Sequence, residues 1–169
     1  MGIMIRKGTK EDIDAYIALL QSVQESMDHK EWFSPNTPEQ LHSFMKEGIM
    51  EMWVAEDVGK IVAAFDVLRP GLRPMNYGYD LSYEEEKLMR VVNLENAAVA
   101  PEYRGLGLQW KLIRCAEEQL RREGPHILMC TVHPENQFSL RNVLRQGYTI
   151  VKEYPKYGSV RYLLQKEVF

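Results

Sequence analysis

The residues from Val99 to Trp110, Val99-Ala100-Pro101-Glu102-Tyr103-Arg104-Gly105-Leu106-Gly107-Leu108-Gln109-Trp110, carry the strongest chemical signal in the sequence. They lie where an apolar strand pattern gives way to a helical one. A helix start leaves its first backbone N–H groups unpaired and carries partial positive charge, so it can hold a phosphate or pyrophosphate. Gly105 and Gly107 would let such a ligand approach the backbone closely. A G-x-G pair can equally serve the turn alone, so its context has to decide. A dinucleotide fold needs a third glycine where Trp110 stands, and a P-loop needs Gly-Lys-Ser/Thr. Neither pattern is present.

The elements that must position this segment can be read from periodicity and caps. Ile3 to Lys7 reads as a strand, and Thr9 with Asp12 opens a helix from about Lys10 to Met27, with Ile13, Ile17, Leu20 and Val23 facing inward. Thr37, Pro38 and Gln40 mark a second helix start and Gly48 its stop, with Leu41, Phe44 and Met45 on one face. Met52 to Glu56 and Ile61 to Leu68 form a hairpin through Asp57-Val58-Gly59-Lys60, and residues 69–83 read as a long loop. Val91 to Val99 is a strand, and Gly107 to about Glu123 a helix striped by Leu108, Leu112, Ala116 and Leu120 and ended by Gly124-Pro125. The apolar run Ile127 to Val132 suits a strand buried on both faces, as in a parallel pair reached by a crossover helix. Asn136 to Gln146 is a short helix ending at Gly147, and Tyr148 to Tyr154 and Val160 to Lys166 are closing strands. The order is β-α-α-β-β-β-α-β-α-β-β.

Composition bounds the function. The chain has 169 residues, with 21 Lys+Arg against 24 Asp+Glu for a net charge of -3 and 45% apolar residues, which describes one domain over residues 1–169. No Lys/Arg run exceeds two, which argues against a nucleic-acid partner held by phosphate neutralisation. Stretches such as Ile61-Val62-Ala63-Ala64-Phe65 are far shorter than the ~20 residues that cross a bilayer. The apolar start Met1 to Ile5 is too short for a signal peptide, and Arg6 spoils a myristoylation motif. Cys115 and Cys130 suggest neither a disulfide framework nor a zinc site, so no metal is expected and a cytoplasmic location is simplest.

The segment from Val99 resembles the acetyl-coenzyme A signature of the GNAT superfamily of N-acetyltransferases, Arg/Gln-x-x-Gly-x-Gly/Ala after a strand ending Val-x-Pro-x-Tyr. Arg104-Gly105-Leu106-Gly107-Leu108 matches its first five positions, and Gln109 stands at the sixth. Asn136-Gln137-Phe138-Ser139 and Gly147-Tyr148 are similar to the family's Asn-x-x-Ala/Ser helix and closing Gly-Phe/Tyr. The resemblance implies an α+β, three-layer α/β/α fold with a mixed, mostly antiparallel central sheet and a strand pair, 91–99 and 127–132, splayed at its ends. It also implies acetyl-CoA as cosubstrate. Ala97, Ala98 and Val99 would line the pantetheine, Arg104, Gly105, Leu106, Gly107, Leu108, Gln109 and Trp110 would hold the pyrophosphate, and Asn136 and Ser139 would contact the pantetheine arm. Asn136 also reads as a plain N-cap, and the alanines as packing against a helix.

The implied reaction is acetyl transfer from the thioester to an amine by direct attack in a ternary complex. An amine of pKa ~10.4 is neutral in only about 4 of 10,000 molecules at pH 7, a deficit of roughly 4.6 kcal/mol, so a base must take a proton. Glu95 stands where diamine-type members place an acidic residue, and reads either as that base or as a carboxylate bonded within the sheet. Many members carry a tyrosine acid seven residues after the helix asparagine, where this chain has Val143. Tyr154 and Tyr157 are the alternatives, or solvent protonates the thiolate. His133 and the run Glu84-Glu85-Glu86 are weaker readings, as relay and as amine attractor, and Cys130 reads as apolar filling rather than a nucleophile. Met27, Trp32, Phe33 and residues 75–79 shape an acceptor pocket or are ordinary core. The acceptor is expected to be an amine, small molecule rather than protein, with no nucleic acid or membrane partner and a homodimer as the working expectation for assembly. Two other readings stand beside this one: an inactive coenzyme A binding or sensing module, and an interaction domain without ligand.

Overall fold

The structure, a computed structural model, describes residues 2–169. Its strands are β1 (Met4–Lys7), β2 (Met50–Asp57), β3 (Lys60–Leu68), β4 (Val91–Val99), β5 (His126–Val132), β6 (Thr149–Lys156) and β7 (Ser159–Val168). Its helices are α1 (Ile13–Ser26), α2 (Pro38–Glu47), α3 (Glu85–Leu88), α4 (Leu108–Glu123) and α5 (Gln137–Arg145). The strand order is β1-β2-β3-β4-β5-β7-β6. Pairing is antiparallel at β1/β2, β2/β3, β5/β7 and β6/β7, and parallel at β4/β5. This is the mixed, mostly antiparallel sheet that the sequence implies. The chain divides into two compact units, one of residues 2–30, Pro35–Leu68 and Glu95–Glu117, the other of Glu31–Ser34, Arg69–Leu94 and Glu118–Phe169.

In the first unit, Arg6 on β1 grips both oxygens of Asp12, at 2.8 and 2.9 Å, and holds that carboxyl down at about 2. Asp12 also accepts from the Thr9 N–H at 2.8 Å. The Asp12 N–H closes a three-residue turn on the Thr9 carbonyl at 3.0 Å, so a tight 3₁₀ turn, Lys10–Asp12, precedes α1 and the regular helix starts at Ile13 rather than Lys10. The buried stripe of α1 is Ile13, Tyr16, Leu19, Leu20 and Val23. Tyr16 takes the core position expected of Ile17, because its hydroxyl finds buried partners. The β2–β3 turn places Val58 and Gly59 at φ 48° and 75°, the two left-handed residues of a type I′ hairpin. α2 begins and ends at its expected caps: the Thr37 hydroxyl accepts from the Gln40 N–H at 3.2 Å, the Gln40 side chain accepts from the Thr37 N–H at 2.9 Å, and Gly48 is left-handed.

In the second unit, the expected loop at 69–83 is an organised segment with a 3₁₀ turn, Tyr77–Leu81, followed by the short helix α3. Buried Asn76 organises it: its amide donates to the Gly71 and Leu88 carbonyls at 2.7 and 3.0 Å, and its oxygen accepts from the Gly78 N–H at 2.7 Å. Asn93 on β4 holds the same segment, donating to the Met75 carbonyl at 2.9 Å and accepting from the Tyr77 N–H at 3.3 Å, and backbone turns complete it, which composition does not reveal. Tyr77, Val91, Ile127, Met129 and Leu163 form one cluster of the core. The parallel ladder comprises Val91↔Ile127, Val92↔Leu128 and Asn93↔Met129, while β5 pairs with β7 over its whole length to Val132. The β6–β7 turn is also type I′, with Tyr157 and Gly158 at φ 55° and 81°, so β6 runs two residues and β7 one residue closer to the turn than the sequence suggests.

Removing the Thr37 cap with Thr37→Ala is expected to cost ~1 kcal/mol, lowering the melting temperature by about 2–4 °C. An unchanged melting curve would show that the α2 start is held by other contacts.

Candidate active site

The loop before α4 belongs to the first unit and is built from three anchors. The Ala100 N–H donates to the Val62 carbonyl at 2.9 Å, and the turn Pro101–Tyr103 closes with the Tyr103 N–H on Ala100 O at 2.9 Å. The Tyr103 hydroxyl donates to Asp57 Oδ2 at 2.6 Å, which ties the turn to the β2–β3 hairpin. Arg104 is extended and exposed, and Gly105 and Gly107 follow at φ 83° and 71°. An added Cβ at either glycine would meet nothing within 4 Å, so open space faces both. The Lys111 N–H is bonded to Gly107 O at 3.0 Å, which leaves the N–H groups of Leu108, Gln109 and Trp110 in the helix's unpaired first turn. Open glycines, unpaired donors and an exposed arginine fit a pyrophosphate. Leu108 is buried and anchors the helix, Gln109 is half-buried, Leu106 is exposed, and exposed Trp110 carries the Arg114 guanidinium 4.8 Å from its ring centroid.

β4 leads into this loop with an alternation that sorts its side chains. Glu95, Ala97 and Val99 are half-buried, while Asn96 and Ala98 are buried on the opposite face. Beneath Asn96 lies a polar cluster that the sequence reading missed. Asp66 on β3 is fully buried, and its Oδ1 accepts from the Tyr16 hydroxyl, from Asn96 Nδ2 at 2.9 Å and from the Asn96 N–H at 3.3 Å. Its Oδ2 has no hydrogen-bond partner. The Tyr16 proton is shared with the Asn96 carbonyl at 2.9 Å. Burial pushes the Asp66 carboxyl up to about 6 against the pull of those hydrogen bonds. Burial, and then the Asp66 charge, push the Tyr16 phenol well up, with Glu95 adding to the same field. An aspartate inside the run Ile61-Val62-Ala63-Ala64-Phe65-Asp66-Val67-Leu68 was the signal that could have found this cluster, since a charge on a doubly buried strand needs a reason.

The remaining candidates lie in the second unit. Asn136 caps α5, its side-chain oxygen accepting from the Ser139 N–H at 3.4 Å, and both residues are half-buried. Val143 is in the core. The Tyr154 hydroxyl donates to Asp80 Oδ2 at 2.5 Å, and Lys156 Nζ reaches the same oxygen at 2.8 Å. Burial and the Asp80 carboxylate raise the Tyr154 phenol, which makes it a poor proton donor. Tyr157 is half exposed, and its hydroxyl lies 3.1 Å from that of Tyr77. Arg161, buried and unmentioned by the sequence reading, donates to the Trp32 and Glu31 carbonyls at 3.0 and 2.6 Å, and burial lowers its pKa. His133 packs on the Trp32 ring and accepts from the Glu135 N–H through Nδ1 at 3.1 Å. Glu84, Glu85 and Glu86 are exposed around the start of α3, and Cys130 is buried opposite Leu164. Among the described residues no helix is long and apolar enough to cross a membrane, and no three His, Cys, Asp or Glu side chains gather as for a metal ion.

Residues 17–148 match the model of the acetyltransferase (GNAT) family. Solved structures share the fold. An acetyltransferase of the GNAT family from Streptococcus pneumoniae is 19% identical with a TM-score of 0.73, over 99% of this chain and 100% of that one. YncA of Salmonella typhimurium, solved with its cofactor acetyl-CoA, is 18% identical with a TM-score of 0.75, over 100% and 95%. The ribosomal-protein-alanine N-acetyltransferase of Brucella melitensis is 21% identical with a TM-score of 0.72, over 96% and 98%. No curated protein sequence matches the chain.

The raised Asp66 carboxyl has a stability consequence. Its folded pKa lies above its unfolded one, so the stability it contributes is complete below the unfolded pKa and is lost as pH rises through about 6. Between those limits wild type is expected to lose about 3 kcal/mol relative to Asp66→Asn. Parallel melting curves for the two proteins from pH 4 to 7 would show that Asp66 is not perturbed.

Proposed function

The chain belongs to the acetyltransferase (GNAT) family, and on that premise we propose that it is an N-acetyltransferase domain moving acetyl from acetyl-coenzyme A to a primary amine by direct attack. The observation that carries this reading is the loop Arg104–Gly107, two left-handed glycines facing open space and running into unpaired helix N–H groups, at the end of the strand that bears Glu95.

Coenzyme A supplies the acetyl group as an activated thioester. The N–H groups of Leu108, Gln109 and Trp110 and the Arg104 guanidinium would bind its pyrophosphate, and the glutamine at 109 leaves the backbone donor intact. The β4 backbone from Ala97 to Val99 would pair with the pantetheine amides; the end of the parallel ladder at Asn93 supports this. The Asn136 side-chain oxygen is occupied as a cap, so it would offer the pantetheine arm its amide N–H. Glu95, half-buried, holds the proton leaving the amine. Of the two tyrosines, Tyr157 is the better donor to the departing thiolate, because Tyr154 is committed to Asp80. The acceptor is a small amine, and the site of action is the cytoplasm, a reading supported by the two free cysteines.

A coenzyme A binding or sensing module without turnover is the second reading. Val143, in the core where many relatives would offer a tyrosine hydroxyl, favours it. Turnover of acetyl-coenzyme A with any amine would remove it.

Acetyl-coenzyme A at about 100 times its Kd is expected to stabilise the protein by roughly 2.7 kcal/mol. In Gly107→Glu, which places a charged side chain in the open space at φ 71°, the shift should vanish. No shift in wild type at millimolar ligand would leave the fold without this function. Glu95→Gln should lower kcat/KM by more than about tenfold and flatten its acid limb. A smaller loss with an unchanged pH profile would mean that another group takes the proton.

A further inference from the structure

Asn96, the residue after Glu95, is held at every hydrogen-bonding group it has. Its N–H donates to Asp66 Oδ1 at 3.3 Å and its carbonyl accepts from the Tyr16 hydroxyl at 2.9 Å. Its side-chain amide donates to Asp66 Oδ1 at 2.9 Å and to Asn36 Oδ1 at 3.0 Å, and its side-chain oxygen accepts from the Asn36 N–H at 3.2 Å. The holding groups come from α1, from β3 and from the residue two before α2. The Asn96 N–H lies in the same rigid peptide plane as the Glu95 carbonyl. Fixing that plane fixes the backbone dihedral of Glu95, and with it the direction in which its side chain leaves the strand.

The arrangement is costly for mere packing. A carboxyl is taken wholly out of water, three donors converge on one of its oxygens, and the other has no partner. Apolar side chains of similar volume would stabilise the same space at least as well. What the polar cluster supplies and an apolar one cannot is direction, because hydrogen bonds fix orientation where dispersion does not.

We propose that Tyr16 and Asp66 are positioning residues for the transfer reaction, acting through the Asn96 backbone to aim Glu95; this rests on the reading of Glu95 as base. Neither touches the substrates. Tyr16→Phe removes one oxygen and leaves the ring in the core, so it loosens the Asn96 carbonyl without creating a cavity.

The test is a double-mutant cycle on the full chain, read as kcat and as KM for acetyl-coenzyme A with the fastest acceptor from a panel of primary amines. Tyr16→Phe is expected to lower kcat by about fivefold or more with the acetyl-coenzyme A KM unchanged, and to add less than about twofold when Glu95 is already Gln. Equal losses in both backgrounds would show that Tyr16 acts as structure alone and would overturn the proposal, as would an unchanged kcat. Should Tyr16→Phe fail to fold, Asp66→Asn runs the same cycle, with the same outcomes deciding. The Glu95→Gln arm stands by itself: if it leaves kcat intact, the reading of Glu95 fails and the proposal falls with it. If it lowers kcat while the cycle is additive, only the positioning role falls. Absence of turnover with every amine overturns both.

Discussion

Every backbone N–H and carbonyl taken out of water must find a partner, and β4 is where this constraint presses hardest. Its parallel ladder spans Val91 to Asn93, and six further strand residues follow before the chain turns toward α4. Asn96 resolves its share through Tyr16 and Asp66, and Ala100 through the Val62 carbonyl. The donors at the start of α4 have no intrahelical acceptor, as at any helix start. On the proposed function, such a site would bind a long ligand with amides along β4 and phosphates at the start of α4.

The chemistry asked of such a site is mostly placement. An acyl thioester is already activated, and the amine needs only to lose a proton near it, so a carboxylate held in the right orientation contributes more than an unusual reactive group would. In the first unit, polar side chains fix the orientation of backbone segments, and one pair, Tyr16 with Asp66, does so while fully buried. Arg6 and Asp12 set the entry to α1, Tyr103 and Asp57 set the turn before the glycines, and Tyr16 with Asp66 sets the strand between them. Each of these pairs joins a ladder residue, Arg6, Asp57 or Asp66, to a residue outside that ladder, and each lies in the same unit as the feature it fixes.

The second unit solves a related problem with aromatic rings and cations. Lys156 sits within 5.3 to 5.6 Å of the ring centroids of Tyr77, Tyr154 and Tyr157 while bonding Asp80, which brings the organised loop, β6 and the hairpin turn into one cluster. Arg161 carries a buried charge whose hydrogen bonds go to the Glu31 and Trp32 carbonyls, so it ties a short turn with little regular structure of its own to β7. Tyr157, left-handed at a hairpin tip, keeps its hydroxyl at the surface of this cluster.

The sequence alone determined those parts whose cause is local. Caps such as Thr37 with Gln40, the left-handed stop at Gly48, the turn at Val58-Gly59 and the glycines before α4 follow from the conformational limits of single residues, and all stand where their types require. The apolar run of β5 announced a strand flanked on both sides, because a strand with no polar face has no side to give to water. Tertiary structure decided the rest, because the deciding partners are distant in the chain. Tyr16 outranked Ile17 in the core only because Asp66, fifty positions away, accepts its proton. The segment at 69–83 is ordered by Asn76 and Asn93, and the Tyr154 hydroxyl is committed to Asp80 across 74 positions. A hydrogen bond depends on distance and angle in space, and no spacing in a sequence encodes either for residues that folding alone brings together.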